Sequence, residues 1–172
     1  MSQSELIGSL RQALEAERSL LRALIDQIPD LVYVKDCESR FVVANMATAM
    51  LMGAAKPDDL IGRSDHDFYP QAVADAFRID ERAVLEHGID MADHEERVVD
   101  TLGTDRWLLT TKRPLRNQEG EIIGLIGVGR DITMRRRAED ALHQAQAALK
   151  ERLRCDNAEI QHLRAALEAK RG

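Results

Sequence analysis

The sequence predicts an α+β fold: a five-stranded antiparallel sheet with helices on one face, set between long N-terminal and C-terminal helices that form dimeric coiled coils. Five short runs of β-branched and apolar residues are joined by polar turns, the pattern of strands paired antiparallel. Between the second and third runs lies an amphipathic helix with clear start and stop signals. Both ends of the chain carry apolar residues in alternating steps of three and four, the spacing of a helical seam. The expected organisation is a helix over 1–28, a globular domain over 29–133 and a helix over 134–172.

Ser2 and Glu5 have the spacing of a capping box and open the first helix. Its seam is Ile7, Leu10, Leu14, Leu21, Leu24 and Ile28, with Glu17 as the one polar interruption. Such a seam suits a second helix; it also suits packing on the chain's own domain. Pro29 ends the helix, because proline disfavours the α conformation in the residue before it. Leu31–Lys35 and Phe41–Ala44 then form a hairpin across Asp36-Cys37-Glu38-Ser39. Asn45–Gly53 is a short apolar helix capped by Asn45 and stopped by Gly53. The stretch Pro57–Pro70 is irregular, with a helical turn near Asp58–Ile61. Pro70–His87 is the amphipathic helix: Pro70 suits its start, Val73, Phe77 and Val84 share a face, and Gly88 supplies the stop. Glu95–Leu102, Arg106–Leu115 and Ile122–Ile132 are the remaining strands, joined by turns at Gly103–Asp105 and Asn117–Gly120. A single sheet with helices on one face buries both sets of elements.

Composition narrows the function. With 172 residues, one domain of ~100–150 residues plus extensions is expected. A net charge of −6 weighs against a nucleic-acid footprint, which needs a basic face. No apolar run approaches the ~20 residues of a membrane span, and the N-terminus is too charged for a signal peptide. Cys37 and Cys155 have no partner at metal-binding spacing, so reduced thiols in a cytoplasm are expected. Aromatic residues make up only 3%, which weakens any cofactor held by ring stacking.

The segments IPDLVYVKD, FVVAN, LIGRSDHDFYP, RWLLTTKRPLRNQEGEIIG and VGRDITMRRRAEDAL follow one another through nearly two thirds of the chain. In residues and order, Leu24 to Thr133 resembles a PAS domain, the small sensory module of bacterial signalling proteins. Asp-Ile-Thr at the end of the last strand, followed by a basic helical start, is the most specific part. The resemblance implies a sheet that cups a small internal cavity, dimerisation through flanking helices, and signal transfer to an effector. It also implies that Thr133 caps the outgoing helix while Asp131 pairs with a basic neighbour, with Ile132 between them. The residue types agree in part. Threonine at an N-cap is worth about 1 kcal/mol over alanine. Asp131 lies close enough to offset Arg135, Arg136 and Arg137, which oppose the helix dipole in the first turn. An ordinary cap without a signalling role fits the same residues.

From Met134 to about Lys170 there is no proline or glycine, so a helix of ~50–55 Å is expected at ~1.5 Å per residue. One register collects Leu142, Leu149, Leu153, Ile160, Leu163 and Leu167, with Glu139, Gln146 and Asp156 as polar breaks in the core. A parallel homodimer buries that stripe, with Glu159 facing Arg164. Polar breaks leave a shallow preference between registers, as a switch requires.

Several stretches invite site readings. Asp65, His66 and Asp67 are adjacent, but consecutive side chains diverge, so a capped loop is expected and a metal is not. Asp93–Arg97 lacks the second histidine of a zinc-protease helix. Gly124, Gly127 and Gly129 lack phosphate-loop spacing; they leave room either for a ligand or for a helix packed close on the sheet. The flavin-binding LOV branch of the family carries Asn-Cys-Arg-Phe, whereas Asn45 is followed here by Met46-Ala47-Thr48. Haem-binding members use a histidine on or near the long helix, and His66 and His87 are the matching positions. The candidate pocket consists of Met50, Phe68, Phe77, Trp107 and Ile126, with Asn45 or Thr111 as polar contacts; the same residues suit a closed core. Cys37 has only Lys35 nearby to lower its pKa.

The expected function is a cytoplasmic PAS sensory and dimerisation module, not itself an enzyme. It converts a small-molecule or redox cue into a change in a C-terminal coiled coil that controls a kinase, a cyclase or an ATPase-type transcription activator. No phosphoacceptor box, cyclase signature or P-loop is present, and no acid, base and nucleophile converge. The resident cofactor stays unknown. The alternatives are a haem- or flavin-bearing gas or redox sensor and a ligand-free dimerisation scaffold.

Overall fold

The computed structural model describes residues 3–100 and 103–169. Helix α1 (Gln3–Asp26) is followed by β1 (Leu31–Lys35), β2 (Phe41–Ala44), α2 (Met46–Leu51) and 3₁₀ turns at Pro57–Leu60 and Asp65–Asp67. Then come α3 (Gln71–His87), β3 (Met91–Val99), β4 (Asp105–Arg116), β5 (Ile122–Asp131) and α4 (Thr133–Ala169). The strands form one antiparallel sheet in the order β2-β1-β5-β4-β3. After the β1–β2 hairpin the chain crosses one face through the helices to the far edge. It then returns strand by strand until β5 pairs with β1.

Local chemistry accounts for most boundaries. In the hairpin turn Asp36 Oδ1 accepts from the backbone N–H groups of Glu38 and Arg40, both at 2.9 Å, and Ser39 takes a positive φ of 62°. Gly88 ends α3 in the left-handed conformation, φ 65°, returning its N–H to Val84 O at 3.0 Å. The free edge of β2 is covered by residues 62–63: Gly62 N–H donates to Phe41 O and Phe41 N–H to Arg63 O, each at 2.8 Å. The third strand starts at Met91, four residues before the expected Glu95. The register shifts between Met91 and His94, and Asp93 has a φ of 51°. That irregularity breaks the two-residue alternation on which the expectation relied. The expected end of that strand, Leu102, and the capping Ser2 lie outside the described residues.

The sheet buries one face. Along β4, Leu108, Thr110 and Lys112 are buried, whereas Arg113 is exposed. Phe41 and Ala44 of β2 pack with Ala49 and Met52 of the α2 region and with Leu60, while Ala74 and Val84 of α3 are buried as well. Two of the strand glycines, Gly124 and Gly127, make room for the neighbouring strand β1, while Gly129 lies in the wall of an internal cavity. A Cβ on Gly127 would stand 2.1 Å from Tyr33 Cζ, and one on Gly124 would stand 2.2 Å from Lys35 O. Gly127 faces Tyr33 directly across β5 and β1, so the missing side chain is the seat of the tyrosine ring. Gly127→Ala is expected to cost about 1–3 kcal/mol through overpacking. A urea denaturation midpoint measures it, and the added variant Tyr33→Leu should recover part of the loss.

The chain divides into two units, Met1–Ile132 and Thr133–Gly172. In the first, α1 has no buried residue. Its seam residues Ile7, Leu10, Leu14, Leu21, Leu24 and Ile28 are all exposed, and Arg22 ties the helix to Asp58 at 2.9 Å. In the second, Leu142, Leu149, Leu153 and Ile160 are exposed along one continuous helix. Leu163 and Leu167 are helical in backbone, and their side chains lie outside the described residues.

Candidate functional site

Between the sheet and the crossing helices lies a cavity of about 50 Å³. Strand periodicity selects its walls: Leu31, Tyr33 and Lys35 from β1, Glu96 and Val98 from β3, Leu108, Thr110 and Lys112 from β4, and Gly129 from β5. The crossing segment adds Asp65 and Tyr69 from the second 3₁₀ turn and the residues after it, and Phe77 and Glu81 from α3. Four of the chain's six aromatic residues, Tyr33, Phe41, Tyr69 and Phe77, line this one space.

The polar content is unusual for a domain interior. Lys35 is 2% exposed and donates from Nζ to both Asp65 and Glu81, while its ammonium lies 4.5 Å from the Phe41 ring centroid. A buried ammonium is tolerated only with such close compensation. Lys112, equally buried, has Nζ 3.9 Å from Asp80 and 5.5 Å from the Phe77 ring centroid. Burial pushes the Tyr33 hydroxyl well above its ordinary range, and the carboxylates of Glu81, Glu96 and Asp65 add to the rise. Tyr69 is raised by burial first and then by Asp65, Glu96 and Asp100. Both phenols therefore sit in a negative field. Glu81 Oε2 and Thr110 Oγ1 are buried without a hydrogen-bond partner among the described residues.

Of the residues expected in the pocket, Phe77 lines the cavity. Trp107, Thr111 and Ile126 belong to the opposite face; their neighbours Leu108, Thr110 and Leu125 point inward. Shifting an assignment by one residue moves every side chain to the other face. Phe68 packs against the cluster around Phe41 and Leu60, with Arg63 above its ring at 5.7 Å. Met50 is 70% exposed and belongs to a wider groove of about 510 Å³ beside Ile28, Pro29 and Arg106, which shares Leu31, Leu108 and Gly129 with the cavity wall. Asn45 caps α2 as expected but has no capacity for a ligand. Its oxygen accepts from Val32 N, Thr48 N and Thr48 Oγ1, and its amide nitrogen donates to Ile25 O, Ile28 O and Asp30 O.

His66 and His87 are exposed and neither lines the cavity; His66 Nε2 lies 2.8 Å from Asp75. The three adjacent residues of the 3₁₀ turn diverge as the spacing predicts: Asp65 turns inward to Lys35, His66 outward. Asp67 accepts from Ser64 N at 2.8 Å, which is the main reason its carboxyl is held below the usual range. Among the described residues no group of three or more His, Cys, Asp or Glu is placed to hold a metal.

The end of β5 is held from two sides. Arg106 donates from Nη1 to Asp131 at 2.9 Å and from Nε to Asp100 at 3.1 Å, and both bonds raise its pKa. Arg130 reaches Asp30, ahead of β1, at 2.8 Å. Ile132 is buried and donates its N–H to Trp107 O at 2.8 Å, and Thr133 is the first residue of α4. The basic partner of Asp131 is therefore on β4. Sequence reasoning missed Arg106 and the buried charges. The one visible signal was Lys35 closing the inward phase of Leu31, Tyr33 and Lys35.

A family model described as PAS fold matches residues 25–137. The aerobic respiration control sensor protein ArcB of Escherichia coli K12 is 33% identical over 132 residues, 76% of this chain and 17% of its own length. A diguanylate cyclase of Vibrio cholerae is 30% identical over 117 residues, 67% of this chain and 36% of its own. Among solved structures, the Vibrio cholerae VqmA dimer in the absence of target DNA is 33% identical, with a TM-score of 0.60 over 64% of this chain and 49% of that one. VqmA bound to DPO is 32% identical, with a TM-score of 0.59 over 63% and 55%. The chain thus spans a minor part of the two curated relatives and about half of VqmA.

Proposed function

The chain belongs to the PAS fold family, the sensory module of signalling proteins, and on that premise we propose that it senses a small molecule in the cavity around Lys35 and Glu81. Its relatives include a sensor protein, a cyclase and a DNA-binding regulator, so the partner of the module is an effector of one of these kinds. VqmA holds DPO, which supports a small-molecule cue here.

One observation carries the reading. Strand β5 contributes Gly129 to the cavity wall, and two residues later Asp131 is held by Arg106 before Thr133 opens α4 without an intervening loop. A change in the wall strand is thereby passed to a helix rather than lost in a linker. The exposed seams of α1 and α4 support a parallel homodimer, since apolar stripes of this length need a second helix. In this reading the module transmits and does not catalyse, and it works in the cytoplasm.

The test is disulfide crosslinking of single-cysteine variants along Leu142–Ile160, with Cys37 and Cys155 replaced, with and without ligand. The crosslinking pattern should shift when ligand is added; identical patterns would sink the coupling. Thr133→Ala is expected to abolish the shift while costing about 1 kcal/mol of stability or less. Loss of stability in proportion to loss of signalling would reduce Thr133 to a structural cap.

A further inference from the structure

The charges facing the cavity do not balance. Asp65, Glu81 and Glu96 supply three carboxylates against the two ammonium groups of Lys35 and Lys112. Lys112 is also drawn toward Asp80 outside the lining, at 3.9 Å. Lys35 uses one oxygen of Glu81, and the other, Oε2, has no partner although Glu81 is only 1% exposed. Thr110, 2% exposed, leaves Oγ1 unpartnered as well. A buried acceptor without a donor costs on the order of 1–3 kcal/mol, more for a charged group, so both atoms call for an occupant that supplies hydrogen bonds. Burial is the main cause of the raised Tyr33 and Tyr69 phenols, and the carboxylates that add to the rise make a field of the same sign as the charge imbalance. The aromatic walls of Tyr69 and Phe77 suit a cation more than an anion, because ring faces are electronegative.

Resting on the ligand-sensing reading above, we propose that the cavity takes a small monocationic amine, whose N–H groups donate to Glu81 Oε2 and to Thr110 Oγ1. The bound cation offsets the one carboxylate by which the lining residues exceed their two lysines. Size sets the upper limit. About 50 Å³, at roughly 10–15 Å³ per water-sized group, admits about three to five such groups, the bulk of one small ring or a short alkyl chain.

The experiment titrates the full chain by calorimetry and thermal shift with matched probes at pH 7: n-propylamine and pyrrolidine as cations, n-propanol and cyclobutanol as neutral counterparts, propionate as the anion. The amines should bind and raise the melting midpoint, with the alcohols and propionate at least tenfold weaker. Glu81→Gln keeps an acceptor for Lys35 but removes the charge, and should weaken amine binding tenfold or more. Thr110→Val, with all charges intact, should weaken it several-fold. If Glu81→Gln does not fold by circular dichroism, Glu96→Gln provides the same charge change on a half-buried side chain and should erode the preference for amines. An alcohol or propionate that binds as well as the amines, or amine binding unchanged in the variants, overturns the cationic assignment and leaves the sensing reading standing. No binding by any probe overturns both.

Discussion

Lys35→Met is expected to destabilise the domain by roughly 3–5 kcal/mol, because it strands two buried carboxylates. Methionine keeps most of the length and apolar contact of the lysine stem, so the loss reports the charge rather than a void. Asp65 and Glu81 each give Lys35 a carboxylate oxygen inside the domain, and among the described residues neither lies within ion-pair distance of another cation. A melting midpoint lower by about 6–20 °C is expected, at roughly 2–4 °C per kcal/mol for a chain of this size. The decisive control is Lys35→Met combined with Asp65→Asn and Glu81→Gln. With the charges gone, most of the lost stability should return, since a neutral polar cluster is far cheaper to bury than unpaired ions. A triple variant as unstable as the single one would show that the loss does not come from unpaired carboxylates.

The same cluster marks the limit of what the sequence discloses. The hairpin, α2 with its Asn45 cap, the start of α3 at Pro70 and its stop at Gly88 were all legible, since each depends on residues within a few positions. The junction was legible for the same reason, down to Asp131, Ile132 and Thr133 in succession. The cavity was not. Lys35 meets partners 30 and 46 residues away, and no local period records that meeting. The choice of sheet face failed on β4 because RWLLTTKR carries bulky residues in both phases: Trp107 and Leu109 on one side, Leu108 on the other. Lys112 and Glu81 carry no local sign of burial, and only the fold turns them inward. The role of Gly127 was not legible because its occupant, the Tyr33 ring, belongs to a strand nearly a hundred residues earlier. Asp131 was expected to find a basic partner, but nothing local pointed to Arg106 on β4 rather than the arginines that follow it.

Asn45→Asp should be nearly as damaging as the loss of Lys35, costing about 3 kcal/mol or more, and more than Asn45→Ala at neutral pH. Asn45 is fully buried and joins three segments: its nitrogen donates to Ile25 O, Ile28 O and Asp30 O, and its oxygen accepts from Val32 and Thr48. Each buried backbone group left unpaired costs about 1–3 kcal/mol. Aspartate keeps the accepting side but aims a charged oxygen at three carbonyls; alanine leaves those carbonyls and the Val32 and Thr48 N–H groups unpaired but buries no like-signed charge against them. Protonating the new carboxyl restores one donor, so the deficit of the aspartate variant should shrink as pH falls toward the carboxyl range, while that of the alanine variant should not. Denaturant midpoints of both variants between neutral and mildly acidic pH measure the difference; parallel curves would show that the carbonyls do not depend on the amide. The consequence reaches the signal path, because this amide pins the end of α1 to β1 and α2. If α1 takes part in output, the variant should loosen that helix selectively, read as faster hydrogen exchange over Arg22–Asp26 than over β4 and β5.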